Sequence, residues 1–262
     1  MTLLSTGQRV SVVTGGGGHI GAAIAECLVG LGETVILVDL DGDAVDAVAE
    51  RLNHKRDVLG TIRAWRSDVS SDSANAALVD RIDREFGRLD RLINNAAIQQ
   101  RASFGEITKD EWSRIMDVNL WSQASLCQAA VKIWEKTLTG SVVNMTSRAW
   151  LAGGPAAYVA SKSGVVGLTH SLAVELAKYN VTVNAVAPST VLTPMVESRF
   201  TAQELLGHVE RGKKLTLLGR LATATDIANA VEFLSSPRAT FITGEVLNVC
   251  GGAQLAPPSI ER

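Results

Sequence analysis

Cysteine is scarce and poorly placed for any shared task. Cys27, Cys127 and Cys250 are odd in number and far apart, which suits neither a disulfide framework nor a zinc site. The four histidines, His19, His54, His170 and His208, show no metal-ligand spacing, so no metal is expected. Long hydrophobic runs are missing, and none approaches the roughly 18 residues that cross a bilayer. Met1 to Val10 lacks a basic segment followed by an apolar core, so no signal peptide is read there. Neither sign of charge dominates, with 25 Lys+Arg against 27 Asp+Glu and a formal net charge of −2. That balance offers no basic footprint for a phosphate backbone. These absences predict a cytoplasmic protein with a small-molecule substrate and neither a nucleic-acid nor a membrane partner.

Hydrophobic residues make up 46% of the 262-residue chain and charged residues 20%, a globular balance. Short β-branched runs at Val10–Val13, Val35–Val38, Leu89–Ile93, Ser141–Met145, Val181–Val186 and Glu245–Val249 read as strands, with Thr61–Arg66 as a weaker candidate. Amphipathic segments Ile20–Leu31, Asp43–Asn53, Asp72–Phe86, Lys109–Glu135, Ala156–Lys178 and Asp226–Leu234 read as helices between them. Asp72 and Thr225 are candidate N-caps, and Gly32 and Gly87 candidate C-terminal stops. Apolar strands alternating with helices predict an α/β fold. The expected form is one doubly wound Rossmann-type domain over 1–262, a mostly parallel seven-stranded sheet with helices on both faces. Residues 189–219 break the rhythm and read either as a substrate-covering insertion or as a solvated helix, and 253–262 as a C-terminal tail.

Val12-Val-Thr-Gly15-Gly-Gly-Gly18-His19-Ile20-Gly21 follows a strand and opens a helix. Glycines there let a backbone approach phosphates, while helix N–H groups and the dipole favour negative charge. The next strand ends at Asp39, a carboxylate placed to accept from ribose hydroxyls and to repel a 2′-phosphate. No Arg or Lys lies in the glycine loop or immediately after Asp39, so NAD is expected rather than NADP.

Tyr158 and Lys162 lie one helical turn apart and share a face. Lowering a tyrosine from a pKa near 10 to about 7 takes roughly 4 kcal/mol. A neighbouring lysine cation, helped by an oxidised nicotinamide, supplies much of that. With Thr14–Gly21, Asp39, Asp68-Val69, Asn94-Asn95-Ala96-Ala97, Asn119, Ser147, Pro188–Thr193, Ile242-Thr-Gly244 and Cys250-Gly-Gly252 in this order, the chain resembles the single-domain short-chain dehydrogenase/reductase family along nearly its whole length. The resemblance implies that Tyr158 is the general acid/base and that Lys162 lowers its pKa and holds the nicotinamide ribose. It implies that Ser147 bonds the reacting oxygen and that Asn119 supports a water-mediated proton path. It assigns cofactor contacts to Gly15, Gly18, His19, Ile20, Gly21, Asp39, Asp68, Val69, Asn95, Ala96, Tyr158, Lys162, Pro188, Val191 and Thr193. It further implies a homotetramer built through Lys109–Glu135, Ala156–Lys178 and the C-terminal strand.

Departures from the family pattern are His19 for the middle glycine, Ala97 and Ser189 for glycines, and Cys250 for an aspartate. Ser147 precedes Tyr158 by a short gap, leaving Thr146 as a second hydroxyl to consider. Arg148 and Trp150 follow Ser147 at a strand's carboxyl end, and Arg101 follows another. They are read as substrate-facing, Trp150 as an apolar wall and an arginine for a carboxylate, phosphate or carbonyl, against the alternative of solvated surface residues. The expected activity is an NAD-dependent interconversion of a secondary alcohol and a ketone. The alternatives are a non-catalytic subunit of a mixed oligomer and an oxidoreductase of an acyl thioester, the latter prompted by basic Arg211–Lys214.

Overall fold

The structure, a computed structural model, describes residues 8–55, 59–193 and 200–255. Strands β1 (Val10–Thr14), β2 (Thr34–Asp39), β3 (Thr61–Arg66), β4 (Arg91–Asn94), β5 (Gly140–Met145), β6 (Val181–Pro188) and β7 (Val246–Val249) form one sheet in the order β3-β2-β1-β4-β5-β6-β7. Every pairing is parallel. All seven predicted strands are present, including the weak one at Thr61–Arg66. The helices are α1 (His19–Gly30), α2 (Gly42–Asn53), α3 (Asp72–Phe86), α4 (Lys109–Met116), α5 (Ser122–Thr137), α6 (Ala149–Ala152), α7 (Ala156–Leu176), α8 (Ala202–Leu215) and α9 (Ala224–Leu234).

Alternation along the strands explains why both faces need helices. Val12, Ile36, Val38, Val142 and Val183 pack on one side against α3, α5 and α7. Val13, Val35, Leu37, Ile93, Val143 and Val186 pack on the other against α1, α2 and α9. A strand buried on both faces has no polar side to show, which is why these runs read as continuously apolar.

Two caps differ from the sequence expectation. Ser71, not Asp72, caps α3 by accepting from Ala74 N, and Thr223, not Thr225, caps α9 in a reciprocal box with Asp226. An N-cap side chain serves the amide two or three residues ahead, and only those hydroxyls have that amide in reach. Gly87 ends α3 in the left-handed region at φ 67°, and Gly32 follows α1 at φ 85°. The predicted helix Lys109–Glu135 is interrupted by a π-helical turn at Asp117–Trp121. Within 189–219, α8 begins with a Thr201–Glu204 capping box and buries none of its residues. Residues 194–199 of that region, and 256–262 of the tail, lie outside the described residues.

At the amino edge of the sheet, Glu33 and Arg91 form a buried ion pair at 2.7 Å, with side chains 4% and 2% exposed. Ser11 Oγ donates to the other Glu33 oxygen at 2.5 Å and Arg91 Nη1 donates to Ser235 Oγ at 2.8 Å. The pair joins β1, β4, the start of β2 and the end of α9. Removing one partner leaves an uncompensated buried charge, whereas replacing both with apolar groups does not. Arg91→Leu should therefore lower unfolding free energy by about 3–5 kcal/mol, and Glu33→Met with Arg91→Leu should recover most of the loss. Urea denaturation of both variants checks this, and equal losses would show that the pair is not the source.

Candidate active site

The chain runs outward from β1 to β3 and then returns to place β4 beside β1. Such a switch point opens a crevice at the carboxyl ends of the strands. Gly15 turns out of β1 at φ 65°, and Gly18 caps α1 without any side-chain bond. The first amides of α1 thus have no side-chain acceptor and point along the dipole that favours an anion. A Cβ on Gly21 would sit 2.2 Å from the carbonyl oxygen of Gly15, so only glycine lets helix and loop close together. His19 is exposed and begins α1 with an ordinary negative φ. The histidine therefore introduces no backbone strain, and Ile20 follows it half-buried in the first turn.

Asp39 ends β2 with both oxygens already oriented. Oδ2 accepts from Gly17 N at 3.0 Å and Oδ1 from Asp41 N at 3.1 Å. The sheet register also sets Arg66, the last residue of β3, opposite Asp39. Sequence reasoning looked for a cation only near Asp39 along the chain and missed one delivered by strand pairing. Asp68 lies exposed beyond β3, where Oδ1 accepts from Ser70 N and Ser70 Oγ, and Val69 beside it is buried. Across the crevice, Thr14 Oγ1 accepts from the amides of Asn95 and Ala96 at 2.9 and 3.0 Å. Asn95 Nδ2 donates to the carbonyls of Thr14 and Gly15. Thr14 and Asn95 thereby lock the glycine loop to the end of β4.

Asn119 lies fully buried in the π-helical turn. Its Oδ1 accepts from Ile98 N at 2.8 Å, and its Nδ2 donates to Ile98 O at 2.9 Å and to Ser161 Oγ at 3.1 Å. The Asn119 carbonyl accepts from Gln123 Nε2 at 2.8 Å. A widened turn offers helix carbonyls to side chains. Nothing in the residues warns of it, because no Pro or Gly interrupts 109–137.

Ser147 follows β5, and its Oγ accepts from Ala149 N at 3.2 Å. That leaves its proton free on the side of the Tyr158 phenol, whose upward shift the Ser147 hydroxyl moderates. Thr146 is not an alternative, since its Oγ1 donates to the Lys162 carbonyl at 2.6 Å. Lys162 is 2% exposed and donates from Nζ to Met145 O at 2.7 Å, with Nζ 5.9 Å from the centre of the Tyr158 ring. Burial pulls Lys162 down to about 8. Burial pushes Tyr158 above its ordinary value, offset in part by the Ser147 hydrogen bond. The expected lowering of the phenol draws on an oxidised nicotinamide as well as on Lys162. In the chain by itself desolvation disfavours the phenolate.

The remaining residues lie on or near the same edge. Pro188 ends β6, its carbonyl accepting from Arg148 N at 2.9 Å, and buried Val191 makes an isolated parallel bridge to Ala222. Thr193 follows as the last described residue before 194–199. Ser189 Oγ and Trp150 Nε1 are buried without a hydrogen-bond partner. Arg148, half-buried, precedes α6, which carries Trp150, whereas Arg101 is exposed, its main-chain amide donating to Glu111 Oε1. Cys250 is buried with Sγ donating to Gln254 Oε1 at 2.5 Å. Lys213, within the basic stretch of α8, pairs with Glu210 at 2.7 Å, an ordinary arrangement for a helix C-terminus. Among the described residues no group of three or more His, Cys, Asp or Glu is gathered to hold a metal, and no helix is long and apolar enough to cross a membrane.

The family model described as enoyl-(acyl carrier protein) reductase matches residues 17–254. The chain is 34% identical over 252 residues to the (2S)-[(R)-hydroxy(phenyl)methyl]succinyl-CoA dehydrogenase subunit BbsD of Thauera aromatica, covering 95% of this chain and 97% of that one. It is 35% identical over 251 residues to a 3alpha-hydroxysteroid dehydrogenase of Mediterraneibacter gnavus, covering 94% and 97%. The structure of a short-chain type dehydrogenase/reductase from Mycobacterium ulcerans superposes with a TM-score of 0.87 at 29% identity, covering 94% and 90%.

The buried lysine has a cost that pH reveals. Above its ordinary 10.5 neither folded nor unfolded chain carries the charge. As pH falls toward about 8, the unfolded chain takes the proton first and the folded state loses ground, a deficit of roughly 3 kcal/mol that then stays constant. Lys162→Met should accordingly be at least as stable as the wild type at pH 7. It should also lack the gain this lysine contributes between pH 8 and 10. Denaturant titrations at pH 7 and 9.5 test both, and a marked loss of stability at pH 7 would refute the burial penalty.

Proposed function

The chain belongs to the short-chain dehydrogenase/reductase family, and on that premise we propose that it is an NAD-dependent oxidoreductase interconverting a secondary alcohol and a ketone. The observation that carries the reading is the meeting of Ser147, Tyr158 and Lys162 beside a glycine-lined crevice. The residues fit a dinucleotide: Gly21 leaves no room for a side chain, the α1 amides suit a pyrophosphate, and the oriented Asp39 carboxylate suits ribose hydroxyls. Asp68 and Val69 would take the adenine side, Asn95 and Ala96 the ribose side, and Pro188, Val191 and Thr193 the carboxamide. A bound nicotinamide supplies or accepts the hydride.

The chain's own work is proton transfer and orientation. A phenol raised by burial is protonated at neutral pH, the form that donates to a carbonyl oxygen. In the oxidative direction Tyr158 takes the hydroxyl proton, and a protonated Lys162 beside the ring favours the phenolate. Ser147, oriented by the Ala149 amide, holds the substrate oxygen against the phenol. Asn119 keeps the loop after β4 closed over the catalytic helix. Arg148 and Trp150 follow Ser147 directly and are our choice for substrate contacts, with Arg101 further out. A homotetramer through α4–α5, α7 and β7 belongs to the same proposal, and Trp112, Trp121 and Val174 lie exposed along those helices.

Two observations favour second readings. Arg66 opposite Asp39 is a cation that a 2′-phosphate would use. The relative from Thauera aromatica is named for a succinyl-CoA substrate, which keeps an acyl thioester in view.

Tyr158→Phe should reduce turnover by about 10²- to 10⁴-fold while leaving NADH affinity unchanged. Tryptophan-fluorescence titration and steady-state rates on a panel of secondary alcohols measure the two effects. Wild-type turnover in the variant would end the Tyr158 mechanism. NADH should bind more tightly than NADPH, with Asp39→Ser narrowing the gap and Arg66→Ala leaving NADH affinity in place. Tighter NADPH binding, lost in Arg66→Ala, would reverse the cofactor assignment.

A further inference from the structure

Helix α7 carries Tyr158 as its third residue, yet its own sequence supplies no cap. Pro155 stands at the N-cap position and makes no side-chain bond to the first turn. An uncapped helix start leaves orphan amides, and Ala157 is fully buried, so its N–H has no access to water. The partner comes from 57 residues away. Gln100, 7% exposed, accepts the Ala157 amide on Oε1 at 2.8 Å and donates from Nε2 to Ala102 O at 2.8 Å.

Gln100 is itself held from both sides. Asn119 clamps Ile98 through both its amide and its carbonyl, and Glu111 Oε1 accepts from the amides of Arg101 and Ala102 at 2.7 and 3.3 Å. The loop so fixed begins at Asn95 and Ala96, which close the glycine loop through Thr14. A single stretch, 95–102, therefore joins the nucleotide crevice to the first turn of the catalytic helix.

We propose that Gln100 is a positioning residue for Tyr158, a cap delivered in trans by the crevice loop that fixes where α7 begins and holds the phenol against Ser147. The inference rests on the assignment of Tyr158 as the proton-transferring group. Without the acceptor, Ala157 N–H must find another partner, and the first turn can do so only by moving. A displacement of about 1 Å at a reacting group costs on the order of 10²-fold in rate. Cofactor affinity is set at Gly15–Gly21 and Asp39 and should not follow.

Gln100→Met keeps length and bulk without the acceptor, and Gln100→Glu keeps an acceptor for Ala157. The expected result is a kcat reduced about 10- to 100-fold in Gln100→Met, with KM and NADH affinity within about twofold of wild type. Gln100→Glu should restore most of kcat. With only two tyrosines in the chain, Tyr179→Phe leaves Tyr158 as the sole phenol, and its absorbance titration reads the site without any substrate. In that background Gln100→Met should raise the phenol further as the Ser147 hydrogen bond is lost, and Gln100→Glu should raise it through the added negative charge. A Gln100→Met protein with wild-type kcat and an unmoved phenol, or Met and Glu variants equally impaired in kcat, would overturn the proposal. Should the wild type turn over no alcohol, the assigned reaction fails while the phenol titration still decides the role of Gln100. If Gln100→Met does not fold, hydrogen exchange in the wild type decides. Protection of the Ala157 amide comparable to the interior of α7 supports the cap, and rapid exchange refutes it.

Discussion

The bond from Lys162 Nζ to the Met145 carbonyl is the constraint around which the rest of the site is arranged. An ammonium 2% exposed is a costly thing to fold around, and this one has a single carbonyl at 2.7 Å to offset the loss of water. That carbonyl belongs to the last residue of β5, so the bond ties α7 to the sheet at the strand end from which Ser147 emerges. Thr146 adds a second tie in the opposite sense, donating to the Lys162 main chain. With helix and strand pinned at one turn, Tyr158, one turn earlier, has little choice but to face Ser147. The buried lysine thus comes with a geometry that sets Tyr158 toward Ser147 at the carboxyl edge.

Much of this was legible from the residues. Strand positions followed from β-branched apolar runs, since a parallel strand covered on both faces leaves a continuous signature. The placement of Gly15, Gly21, Asp39, Asn95, Ser147 and Pro188 along one edge followed from their position at strand ends in a parallel sheet, where all carboxyl termini point one way. What stayed hidden depends on distant partners. The π-helical turn has no local cause, for nothing in Asp117-Val-Asn-Leu-Trp121 breaks a helix. Its cause is tertiary, the carboxamide of Asn119 matching both polar atoms of Ile98. The role of Gln100 as an acceptor has no local signature, because it serves an amide on another element. Arg66 escaped notice because register, not sequence proximity, brings it to Asp39. The burial that shifts Tyr158 cannot be read from a YxxxK spacing.

The burial of Tyr158 and Lys162 bears on the electrostatics of the site. Desolvation pushes both reactive groups toward their neutral forms, the phenol up and the ammonium down. Together the shifts put Lys162 below Tyr158 in proton affinity, the wrong order for a phenolate beside an ammonium. Positive charge brought into the crevice would act against the desolvation of Tyr158 and favour the phenolate.

The two edges of the parallel sheet carry different polar groups. Its amino edge holds the Glu33–Arg91 pair, where Ser11 and Ser235 add hydrogen bonds and Arg91 Nε is left without a partner. Its carboxyl edge holds Ser189 and Trp150 with polar atoms unpartnered, the uncapped start of α1, and Lys162 with its bond to the Met145 carbonyl. Unsatisfied polar atoms cost folding energy, and a protein retains them where a ligand completes them. Those at the carboxyl edge lie together because parallel strands with helical returns place every strand-to-helix turn on the same side. The same rule that gives the sheet two apolar faces thus gathers the glycine loop, Ser147, Ser189 and Trp150 on one edge.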